Sequence, residues 1–276
     1  MLWGIKMADK LWQWIEVPLG DVQGVIMLVH GLGEHSKRYN ELVSWLVLHE
    51  YAVLGYDQYG HGRSPGKRGV LTHEMQLLED LGTMVSQVKE RFKDVPLYLL
   101  GHSMGGLLVL DCALTHSDEI SGVIALSPAL KVSSGIKGLF LPIMLKVVPD
   151  LALNNGLPIS GVSRNSEVIA AYKQDELVHE KITPRLAQYI LFAGERVRSR
   201  AKSWQVPTLL LYAGDDQLVN PQGSTEFVQA APQKVVTAQC FEDAYHELHH
   251  EPDTTAFYQA LEHWLPGKHR IDRTIS

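Results

Sequence analysis

The sequence predicts an α/β protein with a mostly parallel central sheet, helices on both of its faces and an inserted helical cap. Three observations lead there. Short apolar runs alternate with longer amphipathic segments along most of the 276 residues, the rhythm of strand–helix–strand units. The runs are continuous rather than alternating, as strands buried on both faces are. One long interval, about Ala129 to Ser203, holds no strand-like run.

Taken in order, strands are expected at Val25–Val29, Ala52–Tyr56, Leu97–Leu100, Val123–Leu126, Thr208–Tyr212 and Val235–Phe241, and residues 17–24 could add an antiparallel edge hairpin. Helices are expected near Tyr39–His49, Met75–Phe92, Gly106–His116, Ser224–Ala230 and Thr254–Leu265. The crossovers should be right-handed. Residues 1–276 read as one domain, with 129–203 as an inserted cap, because a strand-free excursion between two core strands should lie over the strand ends. The alternative is a set of surface helices with no lid role. No internal repeat or low-complexity tract interrupts the chain.

Composition narrows the partners. Hydrophobic residues make up 45% and charged residues 20%, and the formal net charge is −6. A mildly acidic chain without Lys/Arg blocks is a poor nucleic-acid binder. Two cysteines, Cys112 and Cys240, cannot build a disulfide framework; both are expected to be buried small apolar residues. The N-terminus has no signal-peptide pattern, and Met7 offers a second start. No run reaches the roughly 18 apolar residues of a spanning helix. A cytoplasmic protein is expected, at most peripheral on a membrane.

The chemistry centres on Gly101-His102-Ser103-Met104-Gly105, a G-x-S-x-G between a strand and a helix. At so sharp a turn the serine takes a strained backbone conformation and projects its hydroxyl from the sheet, while glycines two before and two after relieve crowding. The pattern resembles the nucleophile elbow of α/β-hydrolases, and Ser103 is the expected nucleophile. A serine hydroxyl needs a base. Of 13 histidines, the chain order Ser, acid, His leaves those near the C-terminus. His246 follows the last strand and is preferred to His249 and His250. The acid should follow Thr208–Tyr212, where Asp215 and Asp216 stand; Asp216 is preferred, with Asp215 bracing the loop. The backbone N–H groups of Leu32, after the first long strand, and of Met104, after the nucleophile, are the expected oxyanion donors, worth roughly 3–4 kcal/mol each. His30 and the Asp57–Ser64 loop read as structural. The cluster His246, His249, His250 lacks metal-binding spacing, so no metal or cofactor is expected.

Five segments, His30–Tyr39 (HGLGEHSKRY), Tyr56–Gly69 (YDQYGHGRSPGKRG), Gly101–Gly106 (GHSMGG), Gly214–Val219 (GDDQLV) and Phe241–Glu251 (FEDAYHELHHE), resemble monoacylglycerol lipase and its bacterial lysophospholipase-like relatives. The cap stretch Pro149–Val178 resembles that family's cap, and the resemblance runs from about Val17 to Trp264. It implies the same triad, Ser103, Asp216 and His246, and the same oxyanion donors. It also implies that Glu34, Arg38, Tyr172 and His249 surround the glycerol end of a small lipid ester. The family commonly has alanine where Leu32 stands, so a narrower pocket mouth is expected. The implied activity is hydrolysis of monoacylglycerol esters to fatty acid and glycerol. A lysophospholipase or short-chain carboxylesterase would use the same triad, and a non-catalytic binding protein would not need it. The apolar segment Gly135–Val148 is expected to line an acyl channel and face a micelle or membrane, with Lys137 and Lys146 at the interface.

Overall fold

A computed structural model describes residues 11–132 and 141–266. The expectations placed on Met7 and on the Gly135–Phe140 part of the apolar cap segment lie outside the described residues. The strands are β1 (Gln13–Glu16), β2 (Gly24–Val29), β3 (Tyr51–Tyr56), β4 (Leu97–His102), β5 (Gly122–Leu126), β6 (Leu153–Asn154), β7 (Lys181–Ile182), β8 (Thr208–Ala213) and β9 (Val236–Phe241). The helices are α1 (Asn40–Leu48), α2 (Gln76–Arg91), α3 (Met104–Ala113), α4 (Leu141–Val147), α5 (Ser166–Gln174), α6 (Pro184–Ser199), α7 (Gln222–Ala230) and α8 (Thr255–Trp264).

Seven strands form one sheet in the order β1-β3-β2-β4-β5-β8-β9. All neighbours are parallel except β1, which runs antiparallel beside β3. Successive side chains of a strand point to opposite faces, and each face has its own apolar cluster. Val25, Met27, Val29, Leu97, Leu99, Val123 and Ala125 pack with α2, α3, α6 and α7. Ile26, Leu28, Tyr98, Leu100, Ile124 and Leu126 pack with α1 and α8. Two covered faces are why the strands read as unbroken apolar runs.

Three expectations change. The edge strand is Gln13–Glu16, not a hairpin over residues 17–24, because Gln13–Glu16 pairs directly with Val53–Tyr56. The cap interval does contain strands, although short: Leu153–Asn154 pairs antiparallel with Lys181–Ile182, too few residues to leave a periodic signal. Cys112 is buried, but Cys240, on the edge strand β9, is only half-buried.

Helix α6, inside the interval 129–203, is bound tightly to the sheet domain. Its Leu186, Ala187, Tyr189, Ile190, Ala193 and Val197 belong to the same apolar cluster as β2 and β4. Thr183 caps its N-terminus, accepting from the Leu186 N–H, and Pro184 opens its first turn. Buried Asp111 on α3 fastens it further. Arg196 donates to Asp111 from Nε at 2.8 Å and from Nη2 at 2.6 Å, and the Tyr189 hydroxyl donates at 3.1 Å. Replacing Asp111 by alanine strips the buried Tyr189 hydroxyl of its acceptor and leaves Arg196 unpaired. The expected loss is about 2–3 kcal/mol of unfolding free energy, readable as a lower urea midpoint at unchanged slope. An unchanged midpoint would show that the contact carries no net stability.

Among the described residues, no helix is long and apolar enough to cross a membrane.

Candidate active site

Strand order reverses around β2: the chain steps from β2 outward to β3, then returns to β4 on the other side. The carboxyl ends of strands at such a switch point frame a crevice. The register pairs Val29 with Gly101, which sets the loop after β2 beside the turn after β4. Likewise, Ala213 pairs with Phe241, so the loops carrying Asp216 and His246 leave adjacent strands.

The turn after β4 has the expected elbow form. Ser103 has φ 56° and ψ −119°, a conformation that costs a non-glycine residue about 1–3 kcal/mol. It is over-determined by its neighbours. The Ser103 N–H donates to the Leu126 carbonyl at 2.9 Å, and its own carbonyl accepts from Leu107 at 3.0 Å and from Ala129 at 3.0 Å. A Cβ on Gly101 would fall on the backbone of Gly105, and one on Gly105 would fall on the carbonyls of Val29 and His30. Both positions therefore require glycine.

His246 and Asp216 meet across 30 residues of chain, with Nδ1 to Oδ2 at 2.7 Å. Asp216 Oδ1 accepts the backbone N–H groups of Leu218 and Val219, each at 2.9 Å. Burial alone would raise the Asp216 carboxyl, but the His246 charge and these hydrogen bonds outweigh it and hold it below the usual carboxylate value. For His246, burial pulls downward, but Asp216, by charge and hydrogen bond, together with the charges of Glu247 and Glu34, outweighs it, so the imidazole sits above its ordinary value. Because Nδ1 faces a carboxylate, it carries the proton, and Nε2 is the nitrogen left to accept one. Asp215 is exposed on the same loop.

Glu34 organises the other wall. Its Oε1 accepts from the Gly31 N–H at 2.6 Å, from the Tyr39 hydroxyl at 2.6 Å and from His102 Nδ1 at 3.3 Å; its Oε2 accepts from Arg38 at 2.7 Å. Burial would raise this carboxyl; the His102 hydrogen bond and the Arg38 charge reverse that and hold it well below the carboxylate range. Arg38 also grips Glu247, with Nη1–Oε1 at 2.5 Å and Nη2–Oε2 at 2.9 Å.

The cleft between these walls is lined by Leu32, Glu34, Ser103, His246 and Glu247 from the sheet domain and by Leu157, Ile159, Tyr172 and Glu180 from the cap interval. It encloses about 30 Å³, room for little more than one water molecule. Ser103, Leu32, Glu34, Tyr172 and His246 thus reach one space. Asp216 stands behind His246, and the Met104 N–H opens α3 next to Ser103. Arg38 lies under the Tyr172 ring, its guanidinium 4.5 Å from the ring centre, and is not in the lining. His249 is also absent from it: the ring is buried and stacks on Tyr39 at 4.7 Å between centres. His30 holds its loop as expected, accepting the Gln58 N–H on Nε2 at 2.9 Å. Glu247, Glu180 and His102 are cleft residues that the sequence reading did not single out. Nothing local marks Glu247, whose partner Arg38 is 209 residues away. Among the described residues one group, Glu247, His249 and His250, has possible metal-ligand atoms within 4.8 Å of one another. The Glu247 carboxylate there is already bound at both oxygens by Arg38 and by His250 Nδ1 at 2.6 Å.

A second cavity, of about 390 Å³, shares no lining residue with the cleft and is largely apolar, lined by Ala129, Leu130, Val132, Leu141, Pro142, Ile190 and Leu191, with Lys131, Glu195 and Arg198 at its polar side.

The mostly parallel sheet, the strained serine at its elbow and the histidine–aspartate pair on two neighbouring loops have the form of the α/β-hydrolase class. Comparison with known proteins narrows this. The profile of the family described as serine aminopeptidase, S33, matches residues 20–253. The chain is 31% identical to the monoglyceride lipase of Rattus norvegicus over 261 residues, covering 92% of this chain and 85% of the rat protein. It superposes on the crystal structure of a monoacylglycerol lipase from Paleococcus ferrophilus with TM-score 0.83 at 33% identity, covering 92% of this chain and 98% of the other. It is also 33% identical over 252 residues to an uncharacterized abhydrolase domain-containing protein of Dictyostelium discoideum, of which it spans only 26%. The chain belongs to this serine aminopeptidase, S33, family and, with these lipases as relatives over most of its length, to the carboxylic ester hydrolases.

Proposed function

We propose that the protein hydrolyses monoacylglycerols to fatty acid and glycerol through an acyl-enzyme on Ser103. The observation that carries this reading is the buried His246–Asp216 pair, 2.7 Å apart, opening onto the same cleft as the strained Ser103. His246 Nε2 takes the Ser103 proton as Oγ attacks the ester carbonyl. The N–H groups of Leu32 and Met104 hold the oxyanion. His246 then gives that proton to the departing glycerol oxygen, and the acyl–Oγ bond remains. Water, deprotonated by His246, attacks the acyl-enzyme, and Oγ regains its proton as the fatty acid leaves.

At the polar end, Glu34 and Tyr172 meet the glycerol hydroxyls, while Arg38 and His249 act from behind them, Arg38 by fixing Glu34 and Glu247, His249 by backing Tyr39. The apolar cavity of about 390 Å³ takes the acyl chain, as a tail pocket must be mostly apolar. The interval 129–203 serves as the cap, with α6 as its fixed base and residues 141–182 as its outer part. Ile143, Val147, Leu151 and Leu153 are 60%, 71%, 47% and 41% exposed, a concentration that suits docking on a lipid surface. Because the cleft is so small, the outer cap must shift to admit a substrate.

A substrate panel tests the reading: a long-chain monoacylglycerol should be turned over with release of glycerol. Ile143→Glu with Val147→Glu should slow hydrolysis of the aggregated lipid at least about fivefold and spare a soluble short ester, since charges oppose burial in an acyl boundary. Equal loss on both substrates would remove the docking role.

A further inference from the structure

The polar end of the cleft is an acidic box. Three carboxylates line it, those of Glu34, Glu180 and Glu247, and no lysine or arginine is among its lining residues. The nearest cation, Arg38, is shared between Glu34 and Glu247 and covered by the Tyr172 ring; its side chain is 8% exposed. One guanidinium therefore serves two carboxylates, and it is not among the residues that line the cleft. His250 sits on Glu247 and is likewise not in the lining. Of the two imidazoles in the lining, His246 faces Asp216 and His102 faces Glu34.

Glu180 tips the balance further. It stands just before β7, on the cap side of the cleft, and its Oε2 accepts the Asn154 amide at 2.6 Å. No basic side chain pairs with it among the ion pairs of the described residues. Its field reaches the cleft: burial raises the Tyr172 phenol first, the Glu34 charge pushes the same way, Arg38 pulls against it, and Glu247 and Glu180 push upward again. Lys181, its neighbour in sequence, is exposed and outside the lining.

We infer that this box selects esters whose leaving alcohol is uncharged and rejects those bearing an anionic phosphate, and that Glu180 is a specificity-determining residue. The inference rests on the monoacylglycerol reading above and sharpens it. Neutral glycerol hydroxyls donate to carboxylates. A phosphate on the same glycerol has no cation to meet and is repelled at short range, where little water screens the charges.

The test uses soluble short esters, so that the charge of a micelle surface plays no part: 1-butanoylglycerol and its 3-phosphate, compared by kcat/KM at low salt. The wild-type ratio should favour the neutral ester by about 100-fold or more, and Glu180→Gln should lower that ratio by about tenfold. Gln retains an acceptor for Asn154, so the cap contact survives. Glu180→Lys should lower the ratio further, and raising ionic strength should narrow it in the wild type. A wild-type ratio near one, or a ratio unmoved by both substitutions in proteins with wild-type melting midpoints, overturns the inference while leaving the lipase reading in place. Cleavage of p-nitrophenyl butanoate with no cleavage of 1-butanoylglycerol sinks both.

Discussion

Ser103→Ala is expected to lower kcat/KM by about 10⁵- to 10⁶-fold, the scale seen when a triad serine is removed, with the fold intact. His246 and the oxyanion N–H groups would remain, yet no atom would be in place to form the acyl bond. A serine-reactive organophosphonate should label the wild type at Ser103 alone. Stoichiometric labelling at another serine would overturn the assignment. The backbone gives a second signature. Alanine keeps the Cβ and therefore the cost of φ 56°, whereas glycine relieves it, so Ser103→Gly should be more stable than Ser103→Ala by about 1 kcal/mol. Equal denaturation midpoints for the two inactive variants would mean that the elbow stores no strain.

Asp216→Asn is expected to cost about 10⁴ in kcat, because an amide can no longer fix the Nδ1–H tautomer or stabilise the imidazolium. Asp215→Asn, on an exposed side chain, should cost less than about threefold, surface changes being small in general. The reverse ranking would show that the other aspartate serves the histidine. The pH profile separates the two as well. In the proposed mechanism His246 works as a neutral base, so activity rises as pH rises through its pKa, which Asp216, aided by Glu247 and Glu34, holds above 6.5. The acid limb of kcat/KM should therefore lie above pH 6.5 in the wild type and move to lower pH in Asp216→Asn. The linkage to stability has the matching sign: a histidine raised by its partner stabilises the folded state fully below pH 6.5, and that contribution is lost as pH climbs through the folded value.

The sheet was legible in the sequence because burial on both faces writes a continuous apolar run, and each of the six expected strands is present within a residue or two of its predicted bounds. The elbow was legible because its constraints are local: Gly101 and Gly105 lie within two residues of Ser103, and their lack of side chains is itself the signal. The cap was harder to read. Pairing of Leu153–Asn154 with Lys181–Ile182 involves two residues on each side, too short for any period to appear. Helix α6 lies in the interval read only as a helical cap, and nothing in its pattern says that its apolar face joins the core of the sheet domain. The edge strand went to the wrong residues because half-buried β1, with one neighbour only, carries no unbroken apolar run.

The sequence by itself determined the class of fold, the candidate serine and the order of its partners along the chain, since strand burial and the turn at the elbow depend on neighbours within a few residues. Only the tertiary structure decided which aspartate faces His246, that Arg38 is spent on Glu34 and Glu247, that His249 stacks behind the wall, and that Glu180 brings a third carboxylate to the cleft. Each of those outcomes depends on side chains that meet across tens to hundreds of residues, at distances of about 3 Å that local periodicity does not encode. Charge pairing at that range is a property of the packed loops, so the polar wall of the cleft is written in the fold.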